Sequence, residues 1–284
     1  MPSALTVLLP VYNGERYVGE TIESILPQSY LDFEFLIIDD GSVDSTPSIL
    51  GRYAVRDARI RVLRQNNRGV GCALNRGIHG SRGLLIAQIG ADDLALPHRL
   101  ARQVQFLDDH PDCVLVGGYL KVIDGRGRVI GLRTYPTSDR DLRNAMLSYS
   151  PFGAPSLMFR RTEGLVAGGF TVRFPTAEDY ESVFRLAKQG KVANLPEALT
   201  SYRLHSGATK SQHTIRQLRD TLRARQTAYT EYGHRESFSA RIVNIAQILM
   251  TRLPAPLIYW LYAKVLQLSY LAEFRDGAPR PRAD

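Results

Sequence analysis

The sequence predicts an α/β protein built on a central, mostly parallel sheet. Over roughly the first 110 residues, short β-rich runs alternate with helical patterns. The first of these runs is apolar throughout, as expected of a strand buried on both faces. Polar or acidic residues also stand just past the strand ends, the edge at which open parallel sheets bind ligands.

The elements follow in order. Leu5–Val11 is the first strand, and Asn13-Gly14 turns the chain out of it. Residues 15–25 place Val18, Ile22 and Ile25 at helical spacing. Residues 33–38 form the second strand and end at Asp39-Asp40-Gly41-Ser42. A helix starts near Asp44-Ser45, with Pro47 in its first turn. Residues 60–63 are strand-like, 69–78 helical, and 84–89 a strand ending at Gly90-Ala91-Asp92-Asp93. Pro97 opens a helix to about Asp109. Two strand patterns in 114–133 flank Asp124-Gly125 as a hairpin. Ser138 caps a helix to about Leu147, a Pro/Gly/Ser-rich link precedes a strand at 157–159, and 178–187 is helical. Asp39, Asp40, Asp92 and Asp93 are therefore expected in one crevice although about 50 residues separate the pairs.

With 44% hydrophobic and 23% charged residues among 284, wholesale disorder is excluded, as are collagenous and coiled-coil chains. Lys+Arg 36 against Asp+Glu 28 gives +8, a surplus that favours anionic partners. From Ile215 onward 11 Lys/Arg face 6 Asp/Glu, so +5 of the +8 lies there, and a boundary is expected near residue 212. Cys72 and Cys113 stand alone, without disulfide or zinc spacing, as in a reducing compartment. No secretory signal opens the chain and no run reaches the ~18 apolar residues of a transmembrane helix. A cytoplasmic location is expected. Gly69-Val-Gly-Cys-Ala-Leu74 lacks the third glycine of a dinucleotide fingerprint, and no GxxxxGK[ST] or GxSxG motif occurs. Without a helix-turn-helix or RRM signature, and without aromatics among its arginines, the chain is not expected to bind nucleic acid.

Two acidic pairs at strand ends suit a nucleotide diphosphate: one carboxylate accepts from a base or ribose, another holds Mg²⁺ or Mn²⁺, hard cations that bridge to phosphate. The same acids could also cap the helices that follow them. A series of motifs then occurs in order: Val7-Leu-Leu-Pro-Val-Tyr-Asn13, Ile38-Asp-Asp-Gly-Ser-Val-Asp44, Asn67-Arg-Gly-Val70, Leu74-Asn-Arg-Gly77, Ala91-Asp-Asp93, Pro97-His-Arg-Leu100, Gly168-Gly-Phe170, Glu178-Asp-Tyr180 and Tyr202-Arg-Leu-His205. Over about residues 4–206 this series resembles the family-2 glycosyltransferases, which have the GT-A fold and transfer sugars from nucleotide sugars with inversion.

With the boundary set by the change in charge near 212, the resemblance implies a GT-A domain over 1–212, with a nucleotide-binding half at 1–110 and an acceptor half at 111–212; composition makes 213–284 a helical extension. It implies that Pro10, Tyr12 and Glu15 border the nucleotide, that Asp39 reads a uracil or thymine ring, and that Asp40 supports it. Arg68 and Asn75 would line the donor site, Asp92 would meet the ribose or sugar, and Asp93 would hold the metal with His205 near the diphosphate. Asp179, with Glu178 beside it, matches the family's catalytic base. The implied donor is a UDP- or dTDP-sugar, the cofactor Mn²⁺ or Mg²⁺, and the acceptor a glycan or lipid-linked hydroxyl in cell-surface polysaccharide synthesis.

Two departures stand out. Gly90 replaces an acid of the usual metal motif, and Ala154 replaces a histidine of the acceptor-side segment. They motivate a second reading, a nucleotide-sugar-binding or assembly subunit without turnover. In the extension, Arg216, Arg219, Arg223 and Arg225 are spaced to share much of one helical face. That face is either solvated or in contact with anionic lipid or acceptor. Residues 257–272, with Tyr259, Trp260, Tyr262 and Tyr270, would make a helix of about 24 Å, short of the ~30 Å hydrocarbon core. That helix either packs on the catalytic domain or lies in the membrane interface, a peripheral contact at the cytoplasmic face. Residues 277–284 read as a disordered basic tail.

Overall fold

Strand β1 (Leu5–Val11) is the axis of the molecule: every residue but Pro10 is buried. It pairs in parallel with β2 (Phe33–Asp39) on one side and β4 (Leu85–Gln88) on the other, and β2 pairs in parallel with β3 (Ile60–Arg64). The computed structural model describes residues 4–205, 214–235 and 238–250. Side chains of alternate parity feed two cores, one on each face of the sheet. Leu5, Val7, Leu9 and Val11 pack with the helices α1 (Val18–Ile25), α2 (Thr46–Arg56) and α4 (Arg99–Asp109). Leu8, Leu36 and Ile38 pack with α3 (Val70–Gly80).

The remaining strands extend the sheet in mixed sense. These are β5 (Leu94–Ala95), β6 (Cys113–Ile123), β7 (Val129–Arg133), β8 (Met158–Arg160) and β9 (Lys191–Arg203). The order is β3-β2-β1-β4-β8-β6-β9-β5, with β7 paired to β6. The helices α5 (Asp139–Met146), α6 (Arg161–Val166) and α7 (Glu178–Leu186) cover this second half. The expected α/β architecture is the one observed.

Local departures have local causes. The first helix begins at Val18 rather than residue 15, because Asn13 takes φ +50° and the amides of Tyr17 and Val18 both close on the Gly14 carbonyl. The Ser45 side chain makes no cap. Asp44 Oδ1 accepts the Thr46 amide at 2.9 Å instead. Ser138 does cap α5, accepting from the Asp141 amide. The strand β9, thirteen residues long, has no counterpart in the sequence reading. Pro196 and Glu197 interrupt its pattern, and the structure loops both out of register: Gly118 pairs with Leu195 and Tyr119 with Ala198.

After β9 come α8 (Thr214–Thr230) and α9 (Phe238–Met250). They dock on α7. The four arginines do not share a face: Arg225 follows Arg216 by nine residues, about half a turn out of phase at 3.6 per turn. Arg225 is buried, donating to the Tyr180 hydroxyl at 2.8 Å, Asn244 Oδ1 at 2.7 Å and Gln247 Oε1 at 2.6 Å. The expectations for 257–272 and 277–284 lie outside the described residues. Among the described residues no helix is long and apolar enough to cross a membrane.

Candidate active site

Strands β1 and β4 separate at their C-terminal ends: the last β4 residue, Gln88, pairs with Leu8, while β1 continues to Val11 beside β2. Pro10 faces the side β4 has left, so its missing N–H breaks no ladder bond there. A cleft of about 930 Å³ opens at this point. Pro10, Tyr12 and Asp40 line it from the ends of β1 and β2, Asp92 and Asp93 from the loop after β4, and Glu178 and Asp179 from the start of α7. His205 lines it from the end of β9. Four other residues singled out in the sequence do not line it: Glu15, Asp39, Arg68 and Asn75.

Asp39 and Asn75 are turned into the protein, and Glu15 and Arg68 are exposed outside the lining. Asp39 is buried, its Oδ1 accepting the Ser42 amide at 2.9 Å and its Oδ2 lying 3.4 Å from Arg64 Nε. This closes a turn in which Gly41 has φ +81° and a Cβ would come 2.7 Å from the Asn67 amide nitrogen. Glu15 Oε2 accepts the Ser45 amide at 3.0 Å, and Asp44 Oδ2 accepts the Glu15 amide at 3.1 Å. Burial would raise the Asp44 pKa, but hydrogen bonds from Thr46 and Glu15 outweigh it and hold the carboxyl below its usual range. Arg68 contributes its main chain: its amide and that of Gly69 donate to the two oxygens of Asp40 at 3.0 and 2.8 Å. Asn75 is turned to Phe170, donating to its carbonyl at 2.8 Å and accepting its amide at 2.7 Å.

The Asp92–Asp93 loop is clamped by residues other than the candidate site residues. The buried Arg203 donates its amide to Asp93 Oδ1 at 2.9 Å, Nε to the Asp92 carbonyl at 2.8 Å and Nη2 to Glu20 at 2.7 Å. Its guanidinium also lies 4.4 Å over the Tyr17 ring, which meets the His205 imidazole and the Arg16 guanidinium as well, each at 4.9 Å. His205 Nε2 stands 2.9 Å from Asp92 Oδ2. Behind the loop Arg99 is fully buried. Desolvation pushes its pKa down to about 9, against the pull of the Asp93 charge. The signal for Arg203 and Arg99 was present, since each lies inside a quoted motif, but their roles depend on β9 and α4 meeting the loop from two sides.

Gly90 has a steric reason. A Cβ there would come 2.6 Å from Asp93 Oδ2 and 3.1 Å from Asp92 Oδ1. The space an acid would need is occupied by the two carboxylates themselves. Among the described residues no group of three or more His, Cys, Asp or Glu is set to hold an ion alone. The donor set of Asp92, Asp93 and His205 nevertheless fits a hard cation shared with a diphosphate, because Mg²⁺-type ions commonly take one or two carboxylates and complete their shell with phosphate oxygens and water.

On the second half of the cleft, Asp179 and Glu178 are half-buried in the first turn of α7. Asp179 Oδ1 accepts the Tyr180 amide at 2.7 Å, tethering the carboxylate by one oxygen. Ala154 and Pro155 line the same half, so the smaller side chain at 154 leaves room where a histidine would stand. The cleft also holds Gln88, whose buried Oε1 has no hydrogen-bond partner among the described residues, and two arginines, Arg16 and Arg216.

The strand-end acidic cleft on this doubly covered sheet is arranged as in the nucleotide-sugar transferase class of α/β folds, the GT-A fold, and the comparisons with known proteins bear this out. The sequence model of Glycosyl transferase family 2 matches residues 6–166. A glycosyltransferase of Haemophilus influenzae, itself described as uncharacterized, is 30% identical over 259 residues, covering 86% of this chain and 79% of that protein. The O-antigen biosynthesis glycosyltransferase WbnJ of Escherichia coli is 29% identical over 211 residues, covering 72% and 82%. Among solved structures, S. aureus TarS in complex with UDP-GlcNAc superimposes with TM-score 0.67 at 18% identity over 87% of this chain and 72% of that one. The mannosyltransferase PcManGT of Pyrobaculum calidifontis, in complex with GDP-Man and Mn²⁺, gives 0.60 at 19% over 94% and 80%. The chain belongs to glycosyltransferase family 2.

Proposed function

We propose that this glycosyltransferase moves a sugar, with inversion, from a UDP- or dTDP-sugar to a hydroxyl of a glycan or lipid-linked acceptor in surface polysaccharide synthesis. The observation that carries the reading is the presence, in one cleft, of Asp92 and Asp93 from the loop after β4, His205 from the end of β9, and Glu178 and Asp179 from the start of α7. The UDP-GlcNAc of TarS and the name of WbnJ support a nucleotide-sugar donor and a surface-glycan acceptor.

In this mechanism the diphosphate lies against the Asp92–Asp93 loop, which Arg203 keeps in place. A Mn²⁺ or Mg²⁺ ion held by Asp93, with His205 nearby, would offset the charge of the departing diphosphate. Asp40 fixes the 65–69 loop along the nucleotide. Asp179, anchored through Oδ1, takes the acceptor proton on Oδ2 as the hydroxyl oxygen attacks the anomeric carbon. The nucleoside diphosphate leaves with the electron pair of the broken bond, and no covalent intermediate on the protein is needed. Residues 1–212 carry this chemistry, and 213–284 form the extension, with peripheral membrane contact at the cytoplasmic face.

The test compares wild type and Asp179→Asn on a panel of nucleotide sugars. Transfer should fall about 10²- to 10⁴-fold while UDP binding changes by less than about twofold. Undiminished transfer by the variant removes Asp179 from the role of base. Binding without turnover in the wild type identifies a nucleotide-sugar-binding subunit instead.

A further inference from the structure

We propose that Arg216 binds an oxyanion carried by the acceptor, a phosphate or a carboxylate, so that α8 is part of the acceptor site. The proposal rests on the sugar-transfer reading of the cleft. Arg216 lies in the first turn of α8 and lines the cleft beside Thr176, Glu178 and Asp179. Nothing in the motifs of the catalytic domain points to it, because it comes from the basic segment beyond them.

Two features hold it there. One turn later Asp220 is buried, and its Oδ2 accepts the Thr176 hydroxyl at 2.8 Å and the Thr176 amide at 3.4 Å. The carboxylate thereby fastens α8 to the segment that leads directly into Glu178 and Asp179. Arg216 itself has a side chain 60% exposed, and its one ion pair among the described residues is a long one, Nε to Asp220 Oδ2 at 3.9 Å. That distance exceeds a hydrogen bond, so the guanidinium fork is not consumed by Asp220.

Charge decides what such a group would meet. Asp92, Asp93, Glu178 and Asp179 make the cleft repel an anionic acceptor, and a neutral acceptor would need no counter-charge. The other cleft arginine, Arg16, lies 4.9 Å over the Tyr17 ring, the ring that also meets Arg203 and His205. Arg216 stands at the end of the proposed base. An oxyanion close to the attacked hydroxyl would receive paired, charge-assisted hydrogen bonds there.

The experiment titrates the full chain with three probes: UDP, farnesyl diphosphate and methyl glucuronide. Arg216→Gln should weaken one of the two acceptor-type probes at least about tenfold, with Arg216→Lys intermediate and UDP affinity within about twofold. The probe affected identifies phosphate or carboxylate. Loss of UDP affinity alone would move Arg216 to the donor, and the proposal would fall. Equal affinities in wild type and Arg216→Gln, or no binding of either acceptor-type probe to wild type, overturn it as well. Failure of wild type to bind UDP strikes the sugar-transfer reading instead.

Discussion

The side chain of Arg203 donates to the Asp92 carbonyl at 2.8 Å while its own amide holds Asp93 Oδ1 at 2.9 Å. One residue of β9 thus fixes both acids of a loop 110 residues earlier, and it does so while almost fully buried. Arg203→Met keeps the amide bond but leaves the Asp92 carbonyl without its donor. The loss is about 1–3 kcal/mol of stability, the ordinary cost of an unmet buried acceptor. The Glu20 pair adds little, since that carboxylate is 54% exposed. UDP affinity should drop at least about fivefold as the loop loosens. A variant that unfolds earlier in denaturant yet binds UDP as wild type does would show that the clamp is purely structural.

Gly90 is the position at which a family-like acid would be the intuitive improvement. The geometry predicts the reverse. Gly90→Asp forces a Cβ to within 2.6 Å of Asp93 Oδ2, so the new carboxylate displaces an existing one. Mn²⁺-dependent UDP binding should weaken at least about tenfold, and Gly90→Ala should already show part of the loss. Isothermal titration of both variants, with and without Mn²⁺, gives the answer. Tighter binding by Gly90→Asp would mean the loop yields and the site is short of ligands.

Asn75 was expected in the donor site, and its amide is instead spent on Phe170. Asn75→Ala removes both partners of a main-chain pair and should cost about 2 kcal/mol. The denaturant midpoint should fall with an unchanged slope, while UDP affinity stays within about twofold. A selective loss of UDP binding with normal stability would return Asn75 to the donor.

What the sequence made legible follows from what local pattern can encode. The apolar runs of β1 and β2 and the acids just beyond β4 announce a parallel sheet and its binding edge, because burial on both faces leaves no polar alternation. Motif order then carried Asp93 and Asp179 into the same cleft. Pattern could not separate residues that line a wall from those that stand behind it. Asp39 and Asp40 are neighbours in a strand end, yet only Asp40 reaches the cleft, because alternation turns the preceding side chain under the turn. Strand β9 was hidden by the two residues it expels from register. Arg203 and Asp220 act through segments far away in sequence, and spacing holds no trace of those partners.

The last relationship with a measurable consequence is between His234, just beyond α8, and α7. The His234 ring stands edge-on to Phe184 at 5.1 Å, and Nε2 donates to the Phe184 carbonyl at 3.0 Å. Burial lowers its pKa below 6.5, with the positive charges of Arg143 and Lys188 acting in the same direction and the carbonyl bond opposing them. The unfolded chain therefore takes up the proton first as pH falls. Above the unfolded value the neutral ring contributes its full stability. Between that value and the lower folded one, acidification favours the unfolded state. Urea midpoints measured at about pH 7.5 and about pH 5.5 should show a larger fall in wild type than in His234→Gln, which keeps the other histidines but has no titrating group at this position. Equal falls in the two proteins would place the acid sensitivity elsewhere and leave the docking of the extension on α7 independent of this histidine.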